Sequence, residues 1–484
     1  MQQEDHEEHR QGEETRCKHD TVEAPECSRE ANRNRCESGT GSGGDGQWEV
    51  SFMGSACGEL TIACDGRRIV SKNGQSRVHR VFSHLSPRCY GEHVVAESPL
   101  SNVRVLEMTE ALAGPYCSML LGDLGADVIK IERPGTGDQS RGWGPPFLDG
   151  ESAYYLSVNR NKRSIEIDIK DPSGQAVLHQ LMKSADVFIT NIPRMASLER
   201  ARIDPETVAT LNPRLIYTAI SGYGHSGPKA GRAGYDLIAQ GEAGSMALTG
   251  EPEDGPLRFP TPMADISAGI YSALGILAAL YSRDRRDGGS DRGEFIDVSL
   301  VDSQVTWLAN VGGTYFATGE RPAKMGNLHP SITPYQPMQA RDKVIIVAVG
   351  TERLWERFCE VLGVANTLMQ DPRFATNRGR NEHRPELIPQ LEAILAGRDA
   401  DDWVEELVAR GIPAGPVNFP DQILEDEHLR ERRMIVELEH PLIGLVRSIG
   451  SPIHFSRSGV TYRRHPPRLG EHNEEIRAQL GGEE

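Results

Sequence analysis

The chain has 484 residues, which suggests about two or three domains and a sizeable core. Its formal net charge of −17 argues against a general binder of nucleic acid or membrane surfaces, while leaving room for a local basic pocket that takes one anionic ligand. No apolar run is long enough to span a membrane without interruption. Six cysteines (Cys17, Cys27, Cys36, Cys57, Cys64 and Cys89) crowd the start of the chain, where a disulfide framework or a zinc site is conceivable, but none forms a Cys-x-x-Cys pair, which makes the metal reading weak. The remaining two, Cys117 and Cys359, suit a reduced, cytoplasmic protein.

Residues 1–100 differ in character from the rest of the chain. Met1–Gly46 is nearly free of large apolar residues and reads as a disordered extension. It lacks the apolar core of a secretory signal, and its early acids (Glu4, Asp5, Glu7, Glu8) do not suit a mitochondrial presequence. Residues 47–100 carry only scattered apolar runs such as Leu60–Ala63, and no function is placed on the extension.

From Val103 the pattern changes to alternating strands and helices. Strands are predicted at 103–107, 127–132, 164–169, 186–190, 215–220 and 294–298. Helices are predicted over 118–124, from Pro172, over 236–248, from Met263 and from Leu300. This is a doubly wound, Rossmann-like α/β pattern, with ligands expected at the carboxyl ends of the strands. A strand at 343–349 and helices over 352–362, 386–396 and 401–410 predict a smaller α+β domain. The expected organisation is an extension over 1–100, a large domain over 101–325, a small domain over 326–418 and a C-terminal return over 419–484.

The helix from Met263 has small residues in its first turns and apolar residues beyond, so it is expected to be buried all round. Asp265 stands near its start, where an N-cap belongs, facing the positive end of the helix dipole. It reads either as an ordinary cap or as a carboxylate held ionised at the mouth of a site. Arg133 and Lys170 each follow a strand end, and Arg200 follows the next one after a short loop. Such a set suits an anionic, phosphate-bearing ligand. A nicotinamide oxidoreductase is disfavoured, because the first turn offers Ala113-Gly114-Pro115 instead of Gly-x-Gly-x-x-Gly.

Several stretches together resemble the class III CoA-transferases, a family that also holds α-methylacyl-CoA racemase. They are Leu106–Pro115, Gly122–Pro134, Asn159–Ile165, Asn212–Tyr217, Ser221–Gly224, the Asp265 helix and Pro466–His472. Within the family, Trp143–Phe147, Tyr154–Lys162 and Ile332–Gln336 look like the succinate–hydroxymethylglutarate CoA-transferases.

The resemblance implies an interlocked, ring-like homodimer that takes an acyl-CoA and a free carboxylic acid, with no permanently bound cofactor and no metal, nucleic-acid or membrane partner. Succinyl-CoA is the implied donor and a dicarboxylate the implied acceptor. Asp265 falls on the catalytic aspartate, which would form a mixed anhydride and then an aspartyl-CoA thioester. Ala113, Arg133, Ile167, Lys170, Asn191, Arg200 and Tyr235 would contact CoA. Tyr235 stands where the racemases carry a histidine, and a tyrosine hydroxyl, with an ordinary pKa of about 10, is a poor base for an α-proton. Racemase or epimerase activity is therefore the alternative within the family, and a non-catalytic CoA-binding protein is the alternative outside it. Glu110, Leu112 and Ala233 replace residues of formyl-CoA transferase, and that enzyme's tetraglycine loop is absent, with Met325–Pro330 in its region. These departures argue against formate and oxalate as substrates.

Overall fold

The computed structural model describes residues 98–481 and, before them, four strands between residues 39 and 72. Those strands (Gly39–Gly43, Gly46–Met53, Glu59–Cys64 and Arg67–Lys72) form an antiparallel meander in chain order. The run Leu60–Ala63 lies in the third of them. Apart from this meander, the expected extension lies outside the described residues.

The main body is built on six parallel strands: β1 (Arg104–Met108), β2 (Asp127–Glu132), β3 (Lys162–Glu166), β4 (Val187–Thr190), β5 (Ile216–Ser221) and β6 (Phe295–Ser299). Their spatial order is β3-β2-β1-β4-β5-β6. The register pairs Val105 of β1 with Val128 of β2 on one side and Val187 of β4 on the other. The order reverses between β1 and β4, and in such sheets the crevice beyond the strand ends at that reversal is where ligands bind. Helices cover both faces, so the central strands are buried and mostly apolar, interrupted by the paired charges Glu107 of β1 and Lys130 of β2. One core packs α1 (Ala113–Asp123) and α4 (Met263–Asp284) on the sheet through Val105, Leu121, Ile216 and Ile276. The opposite core centres on Leu106, Ile165, Phe188 and Tyr217, under α2 (Pro172–Lys183).

Strand β3 begins two residues before the predicted strand, because the polar start of the run is compensated internally. Lys162 is fully buried on Glu107 at 2.9 Å, and Arg163 pairs with Asp127 at 2.5 Å. The helix predicted over 236–248 is two pieces, α3 (Asp236–Glu242) and a turn at Ser245–Leu248, divided by Gly244 at φ +91°. The backbone conformation there is one that glycine adopts without steric cost.

Helix α4 is long and apolar enough to cross a membrane by length and composition, yet it packs within the fold against α1, β5, β6 and α5 (Leu300–Val305). It is not buried all round. Ala264, Ala268 and Ile276 are buried, whereas Leu274 is 60% and Tyr281 73% exposed, with Ile270 and Tyr271 also open. The expected close approach is present at Gly269, where a Cβ would stand 2.8 Å from the Ala113 carbonyl oxygen on α1.

A third core, around Met338, Ile345, Trp355, Phe358, Leu391 and Trp403, belongs to a three-stranded antiparallel sheet. Its strands are β7 (Tyr335–Gln339), β8 (Val344–Ala348) and β9 (Ala414–Pro416). Helices α6 (Glu352–Val361), α7 (Arg384–Leu395) and α8 (Ala400–Ala409) pack on it. The chain then forms the hairpin Ile435–Ile449 and runs back to the large sheet. There the Arg464 carbonyl accepts from the Asn161 amide, and Ile476 of α9 (Asn473–Gly481) inserts into the core beside β3.

Candidate active site

A cavity of about 1100 Å³ lies at the carboxyl ends of the strands, around the β1/β4 reversal. It is built from the loops after β1, β2, β3, β4 and β5 together with the starts of α1, α3 and α4.

The loop after β1 is held from below by buried charge. Glu107 accepts from Lys130 Nζ at 2.7 Å, Thr109 Oγ1 at 2.7 Å and Ser118 Oγ at 2.8 Å. Lys162 Nζ lies 2.9 Å from the same carboxylate, and Asp138 sits 2.9 Å from Lys130. The two lysines hold the Glu107 carboxyl down at about 2 despite its burial. Burial pushes the Lys162 ammonium down to about 8, against the pull of Glu107. Asp138 also accepts the Ala111 amide at 3.0 Å, which anchors Ala111 at its positive φ of 72°. The result is a rigid turn that delivers the start of α1, with no side-chain cap, to the cavity.

Asp265 lines the cavity, but it is not the cap that its position suggests. Helix α4 begins at Met263, with Pro262 as the preceding residue, so Asp265 lies within the first turn. The cap is Asp236 of α3, whose Oδ1 accepts from the Ala264 amide at 2.8 Å. Asp236 Oδ2 also accepts from Gln240 Nε2 at 2.7 Å, and Gln240 Oε1 accepts the Phe259 amide at 2.9 Å. The Asp265 carboxylate has no hydrogen bond among the described residues. Nor is it held in the usual carboxylate range by the helix end. Burial, and then the nearby charge of Asp236, raise it to about 7. Tyr154, stacked edge-on against Trp143 at 4.9 Å, closes the wall near it, and burial together with the Asp265 charge pushes the Tyr154 hydroxyl up.

Of the other sequence-selected residues, Ala113, Arg133, Ile167, Lys170, Asn191 and Tyr235 all line this one cavity. Arg133 donates to Glu110 at 3.0 Å at the rim. Asn191 is engaged on both sides of its amide. Its Nδ2 donates to the Glu110 carbonyl at 2.9 Å and its Oδ1 accepts the Glu110 amide at 3.3 Å, so it ties β4 to β1. Tyr235 is 61% exposed and immediately precedes α3. Arg200 is exposed, donates to Ser197 at 3.1 Å and is not part of the lining. Asp236, Tyr154 and Arg258 are not among the site residues selected from the sequence, although Tyr154 opens one of the stretches that carry the resemblance. The available signal for Asp236 was an acid in the first turn of a helix beside Tyr235, a pattern too common to select one residue.

The model of CoA-transferase family III matches residues 100–473. The chain is 39% identical to the succinate–glutarate CoA-transferase of Agrobacterium fabrum, over 79% of this chain and 96% of that protein. It is 36% identical to human succinyl-CoA:glutarate CoA-transferase, over 78% and 85%. Among solved structures, a CAIB/BAIF family protein from Brucella suis superposes with a TM-score of 0.72 at 39% identity, over 80% of this chain and all of that one. The chain is thus an enzyme of the class III CoA-transferases and belongs to CoA-transferase family III.

Proposed function

We propose that the protein moves CoA from succinyl-CoA to a dicarboxylate acceptor through covalent chemistry at Asp265. The observation that carries this reading is a carboxylate with no internal hydrogen-bond partner among the described residues, in a cavity large enough for an acyl-CoA arm and rimmed by Arg133 and Lys170. Several relatives at 33–39% identity are named for succinate or succinyl-CoA with glutarate, D-citramalate or mesaconate, and one at 34% for acetyl-CoA with oxalate; the majority favour a dicarboxylate pair.

In this mechanism an Asp265 oxygen attacks the donor thioester carbonyl and expels CoA thiolate, leaving a mixed anhydride. The thiolate attacks the Asp265 carbonyl carbon, forms the aspartyl-CoA thioester and releases the donor acid. The acceptor carboxylate then attacks that thioester, and the thiolate it frees takes the acceptor acyl group and restores Asp265. The carboxylate must be ionised to start, and a pKa of about 7 leaves a working fraction charged at neutral pH. The start of α1, which lines the same cavity, suits the developing oxyanions. Arg133 and Lys170 suit CoA phosphates, with Ala113, Ile167, Asn191 and Tyr235 along the arm, and Arg200 would meet only what extends beyond the cavity. The exposed apolar residues of α4 support burial in a homodimer.

The test mixes succinyl-CoA with a panel of free acids and follows new acyl-CoA species by chromatography, with Asp265→Ala alongside. Exchange that vanishes in the variant supports the reading. Solvent deuterium entering a 2-methylacyl-CoA, without exchange, replaces it with racemase chemistry.

A further inference from the structure

We propose that Arg258 receives the distal carboxylate of the dicarboxylate, an assignment that rests on the transferase reading above. Three cationic side chains line the cavity: Arg133, Lys170 and Arg258. The first two follow β2 and β3, on one half of the sheet, where an anionic arm would enter. Arg258 comes from the segment leading into α4, which packs on β5 and β6, on the other half. Asp265 lies seven residues later and lines the same cavity. A thioester seated with its carbonyl at Asp265 and its CoA toward Arg133 and Lys170 therefore points its acyl tail away from those two cations, toward the side that Arg258 occupies.

Arg258 is also unspent. Its guanidinium makes no ion pair or hydrogen bond among the described residues, whereas Arg133 is engaged by Glu110. Its backbone is nevertheless placed firmly. The next residue, Phe259, donates its amide to Gln240 Oε1 at 2.9 Å and its carbonyl accepts from Gln240 Nε2 at 3.3 Å. Gln240 is held in turn by Asp236, the residue that caps α4. One small network thus fixes the nucleophile's helix and the base of the arginine together. A planar guanidinium suits a carboxylate through paired hydrogen bonds. A monocarboxylic acyl chain offers it nothing.

The experiment is a competition. Wild-type enzyme, Arg258→Gln and Arg258→Lys each receive succinyl-CoA with glutarate and pentanoate together, and the ratio of glutaryl-CoA to pentanoyl-CoA is measured. Both acids draw on the same enzyme form, so any effect on the donor half-reaction cancels from the ratio. The ratio is expected to fall about tenfold or more in Arg258→Gln, the scale of one lost charge-assisted contact, and to recover in part in Arg258→Lys. An unchanged ratio, or a loss of both products that persists when butanoyl-CoA, which has no distal carboxylate, replaces succinyl-CoA as donor, means that Arg258 serves CoA or the fold, and overturns the assignment while the transferase reading stands. A wild-type enzyme that forms no acyl-CoA from any dicarboxylate overturns both.

Discussion

Asp236 Oδ1 accepts the Ala264 amide at 2.8 Å, and the residue after Ala264 is Asp265. Capping of α4 is thereby assigned to a side chain from another helix. The acid at the helix's own start is left without a hydrogen bond among the described residues, inside the cavity. The same neighbour keeps the proton on Asp265 longer, because two carboxylates at one site resist joint ionisation.

Asp236→Asn separates these two effects. The amide oxygen can still accept from Ala264, while the charge is gone and the Asn Nδ2 that replaces Oδ2 can no longer accept from Gln240 Nε2. Burial still raises the Asp265 carboxyl, so the acidic limb of the kcat profile is expected to remain above the usual carboxylate range. It should nevertheless move down by about half a unit or more. A limb that stays in place would show that Asp236 does not act on Asp265 through charge.

The raised Asp265 carboxyl also makes a stability prediction with a definite sign. Its folded value of about 7 lies above its ordinary value of 3.8, so between those limits the folded state holds the proton more tightly than the unfolded chain. Stability from this group is therefore full at low pH and is lost as pH rises through 7. Asp265→Asn removes the buried charge. At pH 8 it is expected to melt about 2–4 °C higher than wild type, a gap that narrows steadily below pH 7 and closes only as pH falls to about 4, while exchange activity is abolished. Thermal melts across this pH range check it, and a variant that melts lower at pH 8 would refute it.

How much of the fold and the site was legible beforehand depends on the kind of residue. The six strands are plain in the sequence because each carries a short cluster of apolar or β-branched residues between turn signals, even where a buried charge such as Glu107 or Lys130 interrupts it; β3 is offset because Lys162 and Arg163 look like loop residues until Glu107 and Asp127 are seen opposite them. The rim residues and Asp265 could be found by matching motifs. Asp236 and Arg258 could not, since their roles come from contacts and placement across α3 and α4 that no spacing encodes. The exposed side of α4 was equally hidden, because apolar composition does not say whether a face meets the chain's own core or a second copy.

Below the site, Glu107 serves two buried lysines at once. Glu107→Gln keeps the shape but leaves Lys162 without a charged partner, so a loss of about 3–5 kcal/mol is expected in denaturant unfolding. Loss of activity should accompany it even where the variant is folded, because the turn that carries Ala113 is anchored there. A variant within about 1 kcal/mol of wild type would mean that Lys162 gives up its proton at little cost.

The open apolar residues of α4 predict the assembly state. Leu274→Glu places a charge at the centre of that face, and light scattering should show a dimer in the wild type and a shift to monomer in the variant. A wild-type monomer at micromolar concentration would remove the homodimer from the account.

The central claim is that Asp265 itself carries the CoA. The most direct measurement is peptide mass spectrometry of enzyme quenched during turnover of succinyl-CoA. The account predicts a peptide containing Asp265 heavier by one CoA less one water, absent in Asp265→Asn and lost on treatment with hydroxylamine. Exchange that proceeds in Asp265→Asn, with no adduct on that peptide in the wild type, would contradict it.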